Sequence, residues 1–414
     1  MLAGREPVPP RRPASDRRHR LRVAYVSTWP PRRCGIATYT SDLIAATRAA
    51  DPAVVARVAA IDEPHLLHPY SSEVLWRIRQ GDPESYRQAA SAINGSAVDV
   101  VNIQHEFGLY GVWHEDEQGS IYRDHLVGFL RELRLPVVTT LHSVPPSPSD
   151  SMREAIREIA GLSDQLVVMA AGAVQILSDD YRTRAPISVI PHGMPLIAPH
   201  GRHRFKSKLG IEGRTVISTF GLVDQRKGLE YMVQAMPEVV RRHPAALYLI
   251  AGQTHPEVVR RDGERYRASL INAVDQLGLG QHVSFLDAYM TPTDIVELLL
   301  ATDVYVTPYL DPLQITSGTL AYALGAGKAI VSTSYLHARE ALADGRGILV
   351  GFRDPGALAR GVNNLLDHPQ RKQSLEHMAY AYARDMTWPR AGERWVELMR
   401  ALLVARERAP GRPA

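Results

Sequence analysis

Arg226 and Lys227 stand side by side in Gly221-Leu222-Val223-Asp224-Gln225-Arg226-Lys227-Gly228, where an apolar run gives way to a helix-length amphipathic stretch. Cations at a helix start oppose the positive end of the helix dipole. They make sense if an anion lies between them and free main-chain N–H groups, and a diphosphate leaving group is such an anion. The alternative is a solvated surface pair. A second anion-accepting start is spelled by Thr316-Ser317-Gly318-Thr319, at the end of Asp311–Thr319. There, N-capping by Thr316 or Ser317 uses the same residues. A third is Gly35, closing Thr28-Trp29-Pro30-Pro31-Arg32-Arg33-Cys34, where a glycine admits close approach of a phosphate and Arg32 and Arg33 add charge.

Two histidines complete the chemistry. His105 and Glu106 follow a strand-like run, and His142 ends another. Such pairs hydrogen-bond sugar hydroxyls or act as acid and base. The competing readings are a structural His–Glu pair and satisfied core histidines. No second histidine lies at helical spacing, so a metal site is the weaker reading and none is expected.

Short β-branched runs alternate with amphipathic stretches, the pattern of parallel sheets covered by helices on both faces. Strands are expected at 21–27, 54–61, 98–104, 136–141, 165–169 and 187–190, then at 215–220, 246–251, 282–286, 304–307, 329–332 and 348–350. Helices are expected at 228–242, 256–277, 293–301, 317–325 and 354–366, with two more after Pro369 and Pro389. The last presents Trp395, Leu398, Met399 and Leu402 on one face. The expected fold is thus α/β, with two doubly wound Rossmann-like domains in tandem. They span 21–195 and 205–385, and a C-terminal helix, 386–406, packs back on the first. Ligands of such sheets bind at the carboxyl ends of strands, where all the residues above fall. No Gly-x-Gly-x-x-Gly follows the first strand, so a nicotinamide dinucleotide is not indicated.

Composition narrows the classes further. Residues 1–20 carry six arginines against Glu6 and Asp16, which accounts for the whole formal charge of +4. The remainder is near neutral, so nucleic acid is not an expected partner. That segment reads as a disordered basic tail, with peripheral contact to anionic lipid as the alternative. The single cysteine, Cys34, fits a reducing compartment. No apolar run reaches membrane-spanning length, so work in the cytosol or at an inner membrane face is expected.

The order of these loops resembles the family-4 retaining glycosyltransferases, known for the two-domain GT-B fold. The resemblance is carried by Arg226-Lys227-Gly228, Ile190-Pro191-His192-Gly193, Ala323-Leu324-Gly325-Ala326-Gly327-Lys328, Asp354-Pro355 and Met386-Thr387-Trp388. It implies a nucleotide-sugar donor as co-substrate, no metal, and a sugar, lipid or small-molecule acceptor. By resemblance Gly35 and Gly221 lie at the donor phosphates, which Lys227 neutralises. His142 contacts the transferred sugar, and Gly252 and Ala288 face the base. Ser317, Gly318 and Thr319 belong to the same donor site.

Two departures stand out. Leu222 occupies a position where the family usually has arginine, and Gln314 and Tyr322 replace its two glutamates, which touch the donor sugar and ribose. An amide can still bond hydroxyls, but a phenol cannot make a carboxylate's paired bonds to a diol. The expected activity is retaining hexosyl transfer, with His142, Arg226 and Lys227 as catalytic residues. The alternatives are a retaining phosphorylase on the same fold and a non-catalytic sugar- or nucleotide-binding protein.

Overall fold

The computed structural model describes residues 20–32, 34–63, 66–116 and 119–408. The basic tail and Arg33 therefore lie outside the described residues.

The first half contains β1 (Leu21–Ser27), β2 (Val54–Asp62), β3 (Val74–Arg79), β4 (Val100–His105), β5 (Gly111–Asp116), β6 (Gly119–Asp124), β7 (Val137–Leu141), β8 (Gln165–Val168) and β9 (Ile187–Val189). Seven of these form one sheet in the order β3-β2-β1-β4-β7-β8-β9, while β5 and β6 make a separate antiparallel hairpin. The second half contains β10 (Thr215–Phe220), β11 (Ala246–Ala251), β12 (Val283–Leu286), β13 (Val304–Thr307), β14 (Ala329–Thr333) and β15 (Ile348–Val350). They form a parallel sheet in the order β12-β11-β10-β13-β14-β15.

Every residue of β4, β7, β11 and β14 is buried, as helices on both faces of a parallel sheet require. In each sheet the winding direction reverses beside the first strand, between β1 and β4 and again between β10 and β13. The loops leaving those strands must diverge, and the crevice they leave is where ligands bind.

Besides the hairpin, three features differ from the sequence pattern. The edge strand β3 has a single buried residue, Ile78, so it carries no continuous apolar run. The stretch expected as one helix over 256–277 is two, Pro256–Asp262 and Arg265–Gln276, broken at Gly263 with φ +61°. Short helices at Arg202–Lys208 and Leu336–Ala341 occupy stretches read as connections.

The chain crosses between the halves twice, and the crossings pair. Met194 N–H donates to Met386 O and Trp388 N–H to Met194 O, each 2.9 Å. A Cβ on Gly193 would stand 2.1 Å from the Trp388 ring, so only glycine fits beneath that indole. The final helix, Trp388–Arg408, then lies along Gly35–Ala50, burying Trp395 and Met399 with Tyr25, Tyr39 and Leu43. The approach is close enough that a Cβ on Gly392 would meet Ala46 O at 2.3 Å. The two halves also touch through Glu340, which accepts the N–H groups of Ala171 and Gly172 at 2.9 and 3.0 Å, and through Ile315, buried in the first half's core. Among the described residues no helix is long and apolar enough to cross a membrane.

Candidate active site

A cavity of about 630 Å³ lies between the two sheets, walled by loops from the carboxyl ends of β1, β4 and β7 on one side and β10, β11 and β13 on the other. Gly35, Glu106, His142, Gly221, Arg226, Lys227, Gly252, Ala288, Gln314, Gly318, Thr319 and Tyr322 all reach its wall. Thus twelve positions distant in sequence converge on one space. His105 and Ser317 do not reach it.

The turn after β10 is built to present Lys227. Asp224 accepts the Arg226 N–H at 2.6 Å and caps the short 3-10 turn Gln225–Lys227. Gly228 then takes φ +58°, and a Cβ there would stand 2.3 Å from Pro308 O. The Lys227 ammonium lies 4.0 Å from the centroid of Tyr309, and no carboxylate pairs with it among the described residues. Arg226 behaves differently. Its guanidinium bonds both oxygens of Asp224 and is 75 % exposed. Burial raises the Asp224 carboxyl, but Arg226 outweighs it and holds the group below its usual range. The expected pair of cations is therefore one free ammonium and one guanidinium already answered by its own loop.

Opposite Lys227 the helix Gly318–Gly325 begins. Ser317 caps it, accepting Leu320 N–H at 3.3 Å, while its own N–H donates to Nδ1 of His337 at 2.9 Å. The N–H groups of Gly318 and Thr319, first in the helix, have no intrahelical acceptor. Ser317 shapes this helix start from behind and does not line the cavity. Gln314 turns its amide nitrogen to Thr316 O at 2.9 Å, which leaves its oxygen as an acceptor. Across the cavity Gly35 opens the helix Gly35–Ala50, and a Cβ built on it would have no protein atom within 4 Å. Arg32, expected to add charge here, turns instead to Ile61 O and Glu63 at the end of β2.

The loop of Gly252 is clamped from behind by Arg267, whose guanidinium is buried. It donates to Gly252 O at 2.6 Å and Thr254 Oγ1 at 3.2 Å and pairs with Asp287 at 3.0 Å, tying the loop after β11 to the one after β12. Gly252 itself sits at φ +138°, where a Cβ would lie 2.1 Å from Gly221 O.

On the first half's wall, burial pushes His142 down to about 3 and keeps its ring neutral. Its Nε2–H donates to Gln104 Oε1 at 2.8 Å, because the Gln104 amide nitrogen is committed to Asn102 Oδ1. Nδ1 is left as an acceptor. Glu106 accepts Ser143 Oγ–H at 2.7 Å and Phe107 N–H at 3.0 Å, and burial raises its pKa. His105, expected beside the sugar, is fully buried behind this wall. Its Nε2 bonds Asp124 at 2.9 Å, and Tyr122 donates to the same oxygen at 2.9 Å. Side chains alternate along a strand, so of two successive residues only one could face the cleft.

Several cavity residues carry no expectation from the sequence, among them His192, Tyr39 and Asp42. His192 enters the sequence pattern only within Ile190-Pro191-His192-Gly193, yet it packs on Tyr39 with ring centroids 5.0 Å apart, and burial lowers it to about 4. Tyr39 and Asp42 line the cavity from the same helix as Gly35. Spacing would have revealed them, because positions four and seven beyond Gly35 share its helical face. Nothing in the sequence marks Arg267.

Residues 201–386 match the family model described as Glycosyl transferases group 1. Over 394 residues the chain is 21% identical to the GDP-mannose-dependent monoacylated alpha-(1-6)-phosphatidylinositol monomannoside mannosyltransferase of Corynebacterium glutamicum, covering 92% of this chain and 98% of that protein. It is 24% identical over 200 residues to spore coat protein SA of Bacillus subtilis, covering 46% of this chain and half of that protein's length. Among solved structures, sucrose-phosphate synthase from Thermosynechococcus elongatus superposes with a TM-score of 0.72 at 16% identity, over 93% of this chain and all of that one. Two doubly wound halves in that arrangement are the GT-B fold, and the second of them, with the connection before it, is similar to the group 1 glycosyltransferases.

Proposed function

We propose that the chain transfers a hexosyl group from a nucleotide sugar to a hydroxyl of a sugar, lipid or small-molecule acceptor, with retention at the anomeric carbon. The observation that carries this reading is the unpaired Lys227 ammonium, set against a helix start inside an interdomain cavity. A diphosphate fits between them, with Gly35 giving it room. The loops of Gly252 and Ala288, braced by Arg267, take the base. His142 Nδ1, Glu106 and the Gln314 oxygen accept from sugar hydroxyls. The Corynebacterium relative, a GDP-mannose-dependent phosphatidylinositol monomannoside mannosyltransferase, points the same way.

The chemistry follows from what the walls offer. Glu106 is tied down by Ser143 and Phe107, which suits it to holding a hydroxyl better than to attacking carbon. Front-face displacement needs no protein nucleophile. The bond from the anomeric carbon to the diphosphate oxygen breaks, and the acceptor oxygen bonds from the same face. The acceptor's proton passes to the departing phosphate. Lys227 and the Gly318 and Thr319 N–H groups stabilise the charge growing on that phosphate.

Thermal-shift screening against nucleotides, nucleotide sugars and inorganic phosphate identifies the donor, since a ligand selective for the folded state raises the melting temperature. NMR of the product of the stabilising donor then reads the anomeric configuration. An inverted product removes retention. Stabilisation by phosphate alone, with sugar 1-phosphate released from an oligosaccharide, replaces the transferase with a phosphorylase.

A further inference from the structure

Asp42 lies two turns into the helix Gly35–Ala50, on the cavity-lining face it shares with Gly35 and Tyr39. Among the described residues no side chain or main-chain N–H donates to its carboxylate, and no cation pairs with it. The other acids of the cavity are committed: Asp224 to Arg226, Glu106 to Ser143 and Phe107, and Asp311 to Leu313 N–H. Burial without a partner pushes Asp42 up to about 6, and its charge is felt by Tyr322 on the facing domain. A half-buried carboxylate costs stability unless donors compensate it, and the described residues supply none. In the empty cavity solvent supplies them, and a ligand that fills the cavity must take over that role.

The ligand's chemistry can be narrowed. One carboxylate without companions is too few oxygens for a divalent cation. Phosphate would be repelled. Adjacent hydroxyls fit, because a diol gives one O–H to each carboxylate oxygen while its own oxygens remain free to accept, from the Tyr322 hydroxyl for example. We propose that Asp42 binds a pair of neighbouring hydroxyls on the donor, so that the ligand bridges the first-domain helix and Tyr322 of the second domain. This rests on reading the cavity as a nucleotide-sugar site. The donor carries two candidate pairs, on its ribose and on the transferred sugar.

The test is calorimetric titration of wild type, Asp42→Asn and Asp42→Ala with GDP and UDP, their 2′-deoxy analogues, GDP-mannose and UDP-glucose. Loss of hydrogen bonds to a charged group should weaken binding about 10- to 100-fold. If the pair is on ribose, GDP or UDP weakens and its 2′-deoxy analogue, already weaker, does not weaken further. If it is on the sugar, both nucleotides keep their affinity and only the nucleotide sugar weakens. Unchanged affinity for every probe overturns the proposal, as does equal weakening of ribo- and 2′-deoxynucleotide. The unliganded Asp42→Asn protein should melt at or above the wild-type temperature; a lower melting point assigns the carboxylate to the fold and also overturns it. Wild-type protein that binds no probe overturns the donor reading itself, an outcome distinct from a silent Asp42.

Discussion

Lys227→Met tests whether the free ammonium, and not merely a basic loop, stabilises the leaving group. The structure separates two cations that are adjacent in sequence. Lys227 faces the cavity with only the Tyr309 ring beneath it, whereas Arg226 is already bonded to both oxygens of Asp224. A unit charge about 4 Å from a phosphate oxygen is worth about 4 kcal/mol at an effective dielectric of about 20. That agrees with the loss of about 10²–10³ in turnover typical of removing one preorganised donor. Stability should fall by no more than about 0.5–2 kcal/mol, the range for an ammonium that is half-buried over a buried ring. Arg226→Met should act differently. It strips Asp224 of its partner and leaves a bare carboxylate facing the diphosphate, so Asp224→Asn in the same chain should recover most of the loss. The assay is nucleoside-diphosphate release from the donor found by screening, under single-turnover conditions, with melting temperatures alongside. Lys227→Met within a few-fold of wild type refutes the reasoning, as does an Arg226→Met loss that Asp224→Asn leaves unchanged.

Burial lowers His142 to about 3 and both His192 and His337 to about 4, against an unfolded value near 6.5. Groups with depressed pKa leave the unfolded state holding more protons, so their stabilising effect is whole above about pH 6.5 and fades as pH falls toward 4. Asp42, raised to about 6, and Glu106 act in the opposite sense, but the three histidines outnumber them. The melting temperature should therefore fall between pH 7 and pH 5, and a rise over that range contradicts the assignment of three neutral rings. Glu340→Ala removes a carboxylate that accepts two N–H groups across the domain boundary. Bonds of this kind contribute about 1–2 kcal/mol together, enough to shift an open-to-closed ratio about 5- to 30-fold. Small-angle scattering of the unliganded variant should show a larger radius of gyration, and an unaltered curve refutes the latch.

The sequence by itself determined the architecture. Runs such as Val100–His105 and Ala246–Ala251 are buried along their whole length, so burial on both faces is written in consecutive residues and can be read without neighbours. It also marked the loops that form the cavity, because in a doubly wound sheet every strand's carboxyl end faces the same crevice. Tertiary structure decided which side chains in those loops are free. Arg226 and Lys227 are equivalent cations in sequence, and only the fold of the turn gives Asp224 to the first and leaves the second open. His105 and Glu106 are neighbours, yet the pleat sends one to Asp124 and the other to the cavity. His192 and Arg267 act through partners more than a dozen residues away, and Asp42 through the lack of one among the described residues. Charge compensation depends on distances in space, and a linear pattern of residue types does not record them.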